Sequence, residues 1–134
     1  MIVADSNLIA YLMIRGDRTA EAGAVFRKDA VWAAPLLWRS ELRNVLVTYL
    51  RTGRFTLAEA TERMHDAESL VAAREYEVPS VPVLRLAAES GRTAYDCEFV
   101  HLARELGAPL VTSDRKLLRA FPGTAVSMEE FVSR

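Results

Sequence analysis

Two hydrophobic patterns alternate along the chain. Short apolar runs end in polar residues, and between them lie stretches with apolar residues at three- and four-residue spacing. MIVAD reads as a buried strand ending in Asp5, and SNLIAYLMI as a helix broken near Gly16. Asp17 is placed to cap a second helix through about Lys28. VWAAP is a second strand, followed by a helix over residues 36 to 50 that Gly53 ends. TLAE, with Thr56 and Glu59, matches a capping box opening a helix whose face carries Leu57, Ala60, Met64, Ala67 and Val71. Residues 36 to 72 thus predict a helical hairpin. YEVPSVP is a strand running into a turn, with Pro82 in the first turn of a helix that Gly91 closes. Thr93 opens the next helix, to about Leu106, with Gly107 as its C-cap. APLVTSD is a fourth strand and RKLLRAF a short helix. TAVSMEEF gives a last strand and a capping-box helix from Ser127 to Glu130. The alternation predicts a single α/β domain over residues 1–134, with a mainly parallel sheet covered on both sides.

One residue breaks the pattern of the third helix. Leu37, Leu42, Val45, Leu46 and Tyr49 share a face, and Glu41 falls inside it at roughly 100° per residue. A bare carboxylate facing a core is costly unless something neutralises it. Asp96 sits in the same way among Phe99, Val100, Ala103 and Leu106, with Glu98, His101, Arg104 and Glu105 on the far side. Asp5 and Asp114 each follow an apolar strand, and in open parallel sheets ligands sit at the carboxyl ends of strands. Each acid also has a local explanation. Asp5 or Ser6, and Asp114 or Ser113, can cap the helices that follow, and Asp96 lies in a first turn. Glu41 could pair with an arginine. A single cause covers all four: a divalent cation held between them. Oxygen ligands without a His or Cys set suit Mg²⁺ or Mn²⁺, and such sites typically act on phosphate esters.

Composition narrows the setting. With 51% hydrophobic residues the chain can build a core, and no apolar run approaches the ~20 residues of a membrane helix. The N-terminus has no basic leader and reads as the first strand and helix, not a signal peptide. Its one cysteine, Cys97, excludes an internal disulfide and a Cys-based zinc cluster. Together these features predict a cytoplasmic protein. The net charge of −1 gives no global basic field, and Lys28 and Lys116 are the only lysines. Trp32 and Trp38 read as core anchors, and His65 and His101 as surface residues.

Four segments taken together resemble the PIN-domain family, and within it the VapC-type toxins of bacterial toxin–antitoxin pairs: IVADSNLIAYL, SELRNVL, AYDCEFVHLA and PLVTSDRKLL. They arrive in the family's order and span essentially the whole chain. The resemblance implies a PIN-like α/β/α sandwich with a central five-stranded sheet, and a Mg²⁺- or Mn²⁺-dependent endoribonuclease whose acids are Asp5, Glu41, Asp96 and Asp114. Asp5 and Asp96 would ligate the metal, and Asp114 would complete its shell directly or through water. Glu41 would hold a second metal or orient and deprotonate the attacking water. Asn44 is placed to orient Glu41, while Ser6 or Asn7, and Thr112 or Ser113, match supporting polar positions. Arg15, Arg43, Arg92, Arg115 and Lys116 are candidate contacts to the RNA backbone. Implied partners are RNA, a small antitoxin, and a second copy of the chain in a homodimer, with a heterotetramer or larger assembly when the antitoxin joins. Cys97 stands where the family usually has a small residue such as Ala. Two other readings of the fold remain: a nuclease of housekeeping RNA processing without an antitoxin, and a non-catalytic RNA- or protein-binding module.

Overall fold

In the computed structural model, which describes all 134 residues, the central strand is β1 (Ile2–Ala4). It pairs in parallel with β2 (Trp32–Pro35) on one side and β4 (Leu110–Val111) on the other. β3 (Glu75–Tyr76) continues the sheet beyond β2, and β5 (Ala125–Val126) beyond β4. The order is β3-β2-β1-β4-β5 with every pair parallel. Each residue of β1, β2, β4 and β5 is buried, which is why these strands read as apolar runs with no alternation.

Between β1 and β2 run α1 (Ser6–Met13) and α2 (Thr19–Lys28); between β2 and β3, the hairpin α3 (Leu37–Arg51) and α4 (Leu57–Val71). α5 (Ser80–Ser90) and α6 (Ala94–Leu106) lead to β4, and α7 (Arg115–Ala120) and α8 (Met128–Ser133) flank β5. The chain builds the sheet outward from β1 to β3, then returns to place β4 on the other side of β1. Right-handed crossovers therefore put α1 to α4 on one face and α5 with α6 on the other. α6 crosses β1, β2 and β4, and α5 packs on α6.

The buried residues form one cluster around Trp32, Trp38, Leu42, Val100 and Leu110. Both tryptophans are fully buried and hydrogen-bonded: Trp32 Nε1 donates to the Asp29 carbonyl and Trp38 Nε1 to Glu75. Arg39 grips Glu75 through two nitrogens and also pairs with Glu68, tying α3 to β3 and α4. No helix is long and apolar enough to cross a membrane.

Some local expectations give way to packing. Asp17 does not cap α2; Thr19 Oγ1 instead accepts from Gly16 N and donates to the Ile14 carbonyl, closing the turn. Leu57 is 72% exposed, because the first residue of α4 projects past the core that Ala60, Ala67 and Val71 fill. The capping box at Thr56 and Glu59 is complete, whereas Ser127 only accepts from Glu130 N. The expected five-stranded parallel sheet is present, parallel throughout.

Candidate active site

The strand order reverses between β1 and β4, and the crevice outside their carboxyl ends is where an open α/β sheet binds ligands. Asp5 directly follows β1, and Thr112 to Asp114 follow β4. From one side α3 brings Glu41, and from the other the first turn of α6 brings Asp96. All four acids line one cleft of about 590 Å³, together with Ser6, Asn7, Ser40 and Asn44. The acids come from four segments spread over the chain, so the convergence is a product of the fold.

The local and the shared explanations of these acids turn out to be compatible. Asp5 caps α1, its Oδ1 accepting from Ser6 N at 2.7 Å. Asp114 caps α7, its Oδ1 accepting from Lys116 N at 2.8 Å and Leu117 N at 3.4 Å. Asp96 lies in the first turn of α6, where Thr93 is the cap. Asp5, Asp96 and Asp114 each lie at a helix start, and those helix starts meet at the cleft. The arginine pairing considered for Glu41 does not form: none of the four acids takes part in a salt bridge.

Only two uncharged polar residues are buried in the protein, Ser6 and Thr112, and each donates to one of the acids. Ser6 Oγ donates to Glu41 Oε1 at 2.7 Å. Thr112 Oγ1 donates to Asp5 Oδ2 at 2.6 Å and accepts from Asp114 N at 3.0 Å, so it links two acidic positions. A buried hydroxyl needs a partner, and here the partner is a carboxylate in both cases. The expected role of Asn44 is corrected accordingly: it lines the cleft exposed to solvent, and the group that orients Glu41 is Ser6, 35 residues away in sequence. Asn7 lines the cleft without a hydrogen bond to an acid, and Ser113 turns to the Tyr11 hydroxyl at 3.1 Å.

The electrostatics show mutual repulsion. Burial, helped by the charges of Glu41 and Asp96 and opposed by the hydrogen bonds from Thr112 and Ser6 N, raises the Asp5 carboxyl from 3.8 to about 6. Burial and the charge of Asp114 also raise Asp96, while Arg92 and Lys116 hold it down. Glu98, assigned by the helical wheel to the polar side of α6, is half-buried and raised by burial and by the charge of Glu41. Nothing in the one-dimensional pattern could reveal this, since it depends on how α6 packs beside α3. None of the candidate basic residues lines the cleft; Arg92 and Lys116 are near enough to act on Asp96, and Arg15, Arg43 and Arg115 are exposed.

These donors fit a hard divalent cation: carboxylates and hydroxyls, without His or Cys among them. Cys97 is buried, its sulfur 3.9 Å from Ser90 Oγ, away from the cleft lining. No three of the acids converge closely enough to clasp one ion directly. The cleft instead has room for water between carboxylate and ion, and Mg²⁺ characteristically keeps several of its waters.

No protein-family model matches the chain. Exonuclease VapC9 of Pyrobaculum aerophilum is 35% identical over 94 residues, spanning 70% of this chain and 69% of that protein. Ribonuclease VapC3 of the same organism is 28% identical over 124 residues, 90% of this chain and 95% of that protein. Among solved structures, PAE2754 from Pyrobaculum aerophilum superposes with a TM-score of 0.78 at 28% identity, over 99% of this chain and 94% of that one. FitAcB from Neisseria gonorrhoeae superposes at 0.73 and 17% identity over 96% and 99%, a likeness of fold.

Proposed function

We propose that this chain, which belongs to the VapC family of PIN-domain toxins, hydrolyses RNA phosphodiester bonds in the acidic cleft with the help of Mg²⁺, or Mn²⁺ in its place. The observation that carries this reading is the cleft itself: Asp5, Glu41, Asp96 and Asp114 gathered at the strand-order reversal with no basic side chain paired to any of them. A fold that forces carboxylates together this way has reason to do so only where positive charge arrives from outside.

Asp5, Asp96 and Asp114 would hold the cation. When bound, it lowers the pKa of water and offsets the charge that builds on a phosphoryl group under attack. The protein's own groups do the rest. Thr112 fixes the Asp5 carboxylate and, through Asp114 N, the turn that carries Asp114. Ser6 fixes one oxygen of Glu41 and leaves the other to accept a proton from a water or to bind a second cation. Arg92 and Lys116, whose charges reach Asp96, would contact RNA phosphates. In-line attack would leave a 5′-phosphate and a 3′-hydroxyl. As a toxin the chain would be silenced by a small antitoxin, and would act as a homodimer that becomes a heterotetramer or a larger complex with it.

Incubating the purified protein with single-stranded RNA in EDTA, Mg²⁺ and Mn²⁺ tests the assignment. Cleavage should need the cation and vanish in Asp5→Asn and Asp96→Asn. Cleavage in EDTA, or by both variants, overturns it. A circular RNA decides the mode of attack, since the name of one relative denotes an exonuclease. An endonuclease linearises the circle, whereas an exonuclease leaves it intact.

A further inference from the structure

An acidic cleft repels the polyanion it is meant to cut, so part of the substrate must be held by something other than the acids. Tyr95 precedes Asp96 in the first turn of α6 and lines the same cleft. It is 62% exposed, an unusual setting for so large a ring. No other ring stacks on it, and no lysine or arginine lies over it. Across the cleft α3 contributes the only other apolar lining, Leu37 and Val45. The strand ends bring Asp5 and Asp114 to the lining, whereas its apolar surface comes entirely from α3 and α6, the helices that also carry Glu41 and Asp96. Arg92, three residues before Tyr95, and Lys116 of α7 supply positive charge close enough to act on Asp96. An unpaired nucleotide offers a partner to each of these groups, a flat apolar base to the exposed ring and phosphates to the cations.

The geometry points to Tyr95 as the platform on which an unpaired RNA base stacks, setting the adjacent phosphate over Asp96; this rests on the ribonuclease assignment above. The interaction reads the π-face of a base and not its edge, so it selects single-stranded RNA over a duplex without selecting a sequence. Arg92 and Lys116 take the flanking phosphates. The phenol hydroxyl has no part in the contact, so Phe and Trp serve in its place and Ala does not.

The experiment measures binding of a labelled single-stranded RNA in EDTA by fluorescence anisotropy, for the wild type, Tyr95→Ala, Tyr95→Phe and Tyr95→Trp. A matched oligomer of abasic nucleotides serves as the control. Tyr95→Ala should bind RNA about tenfold more weakly, in the range of one lost stacking contact. Phe and Trp should keep wild-type affinity, and the abasic oligomer should bind wild type and Tyr95→Ala alike. With Mn²⁺, Tyr95→Ala should raise KM by a similar factor and leave kcat nearly unchanged. The KM comparison decides alone where binding in EDTA is too weak to titrate. Melting temperatures should agree, since the ring is exposed.

Unchanged affinity and KM in Tyr95→Ala overturn the stacking role; so does an equal loss on the abasic oligomer, and so does a fall confined to kcat, which would mean that Tyr95 only holds Asp96 in place. A wild type that cuts RNA, with any of these results, leaves the ribonuclease assignment standing. A wild type that neither binds nor cuts RNA overturns both.

Discussion

Replacing Asp5 with Asn should abolish hydrolysis and, in the absence of metal, make the protein more stable at pH 8. The reason lies in the surroundings of the carboxyl. Burial and the charges of Glu41 and Asp96 raise it to about 6, against 3.8 for a free Asp. The native state therefore binds the proton more tightly than the unfolded state. Stability falls as pH rises through the window from about 4 to 6 and stays low above it. A difference of that size makes the ionised native form roughly 3 kcal/mol less stable than it would be with an ordinary carboxyl. Asn has no charge to desolvate and escapes this penalty. It loses something too: Thr112 donates to Asp5 Oδ2, and an amide nitrogen at that position cannot accept, a loss of ~1 kcal/mol. Ser6 N can still donate to the amide oxygen. The net expectation is a gain of about 2 kcal/mol at pH 8, or roughly 1 M in the urea midpoint.

Urea titrations of wild type and Asp5→Asn in EDTA at pH 8 and pH 4.5 measure it. The gain should shrink or reverse at the lower pH, where the wild-type carboxyl is largely protonated. Saturating Mn²⁺ should restore the wild type by about 2.7 kcal/mol at a hundred times its dissociation constant and do far less for the variant. An Asn variant less stable than the wild type at pH 8, or a difference independent of pH, refutes the reasoning.

Thr112→Val keeps the shape of a fully buried side chain but removes the donor to Asp5 and the acceptor for Asp114 N. The Asp5 carboxyl should then titrate above about 6, read by ¹³C NMR of the carboxyl in EDTA, because the hydrogen bond that lowers it is gone. In the core, Leu42→Ala should cost ~2–5 kcal/mol in denaturant unfolding, since Leu42 is fully buried. Leu57→Ala, at a position 72% exposed, should stay within ~0.5 kcal/mol.

Elements bounded by chemistry local to the chain could be read in advance. α6 runs between a Thr93 cap and Gly107 at φ 62°, the left-handed turn that glycine makes readily, so both ends are written within a few residues. The same holds for the capping box at Thr56. Where two local candidates competed, as with Asp17 and Thr19 at the start of α2, the sequence alone did not choose. The acids at the strand ends were legible for a topological reason, since a parallel sheet gathers the residues that follow its central strands. What holds those acids was not legible. The partner of Glu41 is Ser6 in place of the nearby Asn44, a matter of how α1 packs on α3. Glu98 points where a helical wheel sees only a polar side, because the wheel carries no information about which neighbour that side meets.

The capping geometry and the acidic cleft have a common physical origin. α1, α6 and α7 all begin at the cleft, and Asp5, Asp96 and Asp114 lie at those beginnings. A helix N-terminus presents unpaired N–H groups and a partial positive charge, which favours a carboxylate there by ~0.3–1 kcal/mol. That contribution keeps the site foldable without a cation, yet for Asp5 it is too small to offset a penalty of roughly 3 kcal/mol. The fold therefore orders its carboxylates without neutralising them. Glu41, in the second turn of α3, has no helix start of its own and depends on a hydroxyl buried at the start of another helix. The two uncharged polar residues that the core admits, Ser6 and Thr112, are spaced on either side of the strand-order reversal, one after β1 and one after β4. A core that admits polar groups only there has given up packing where the acids need to be aimed, and the residual negative charge is what a cation would bind.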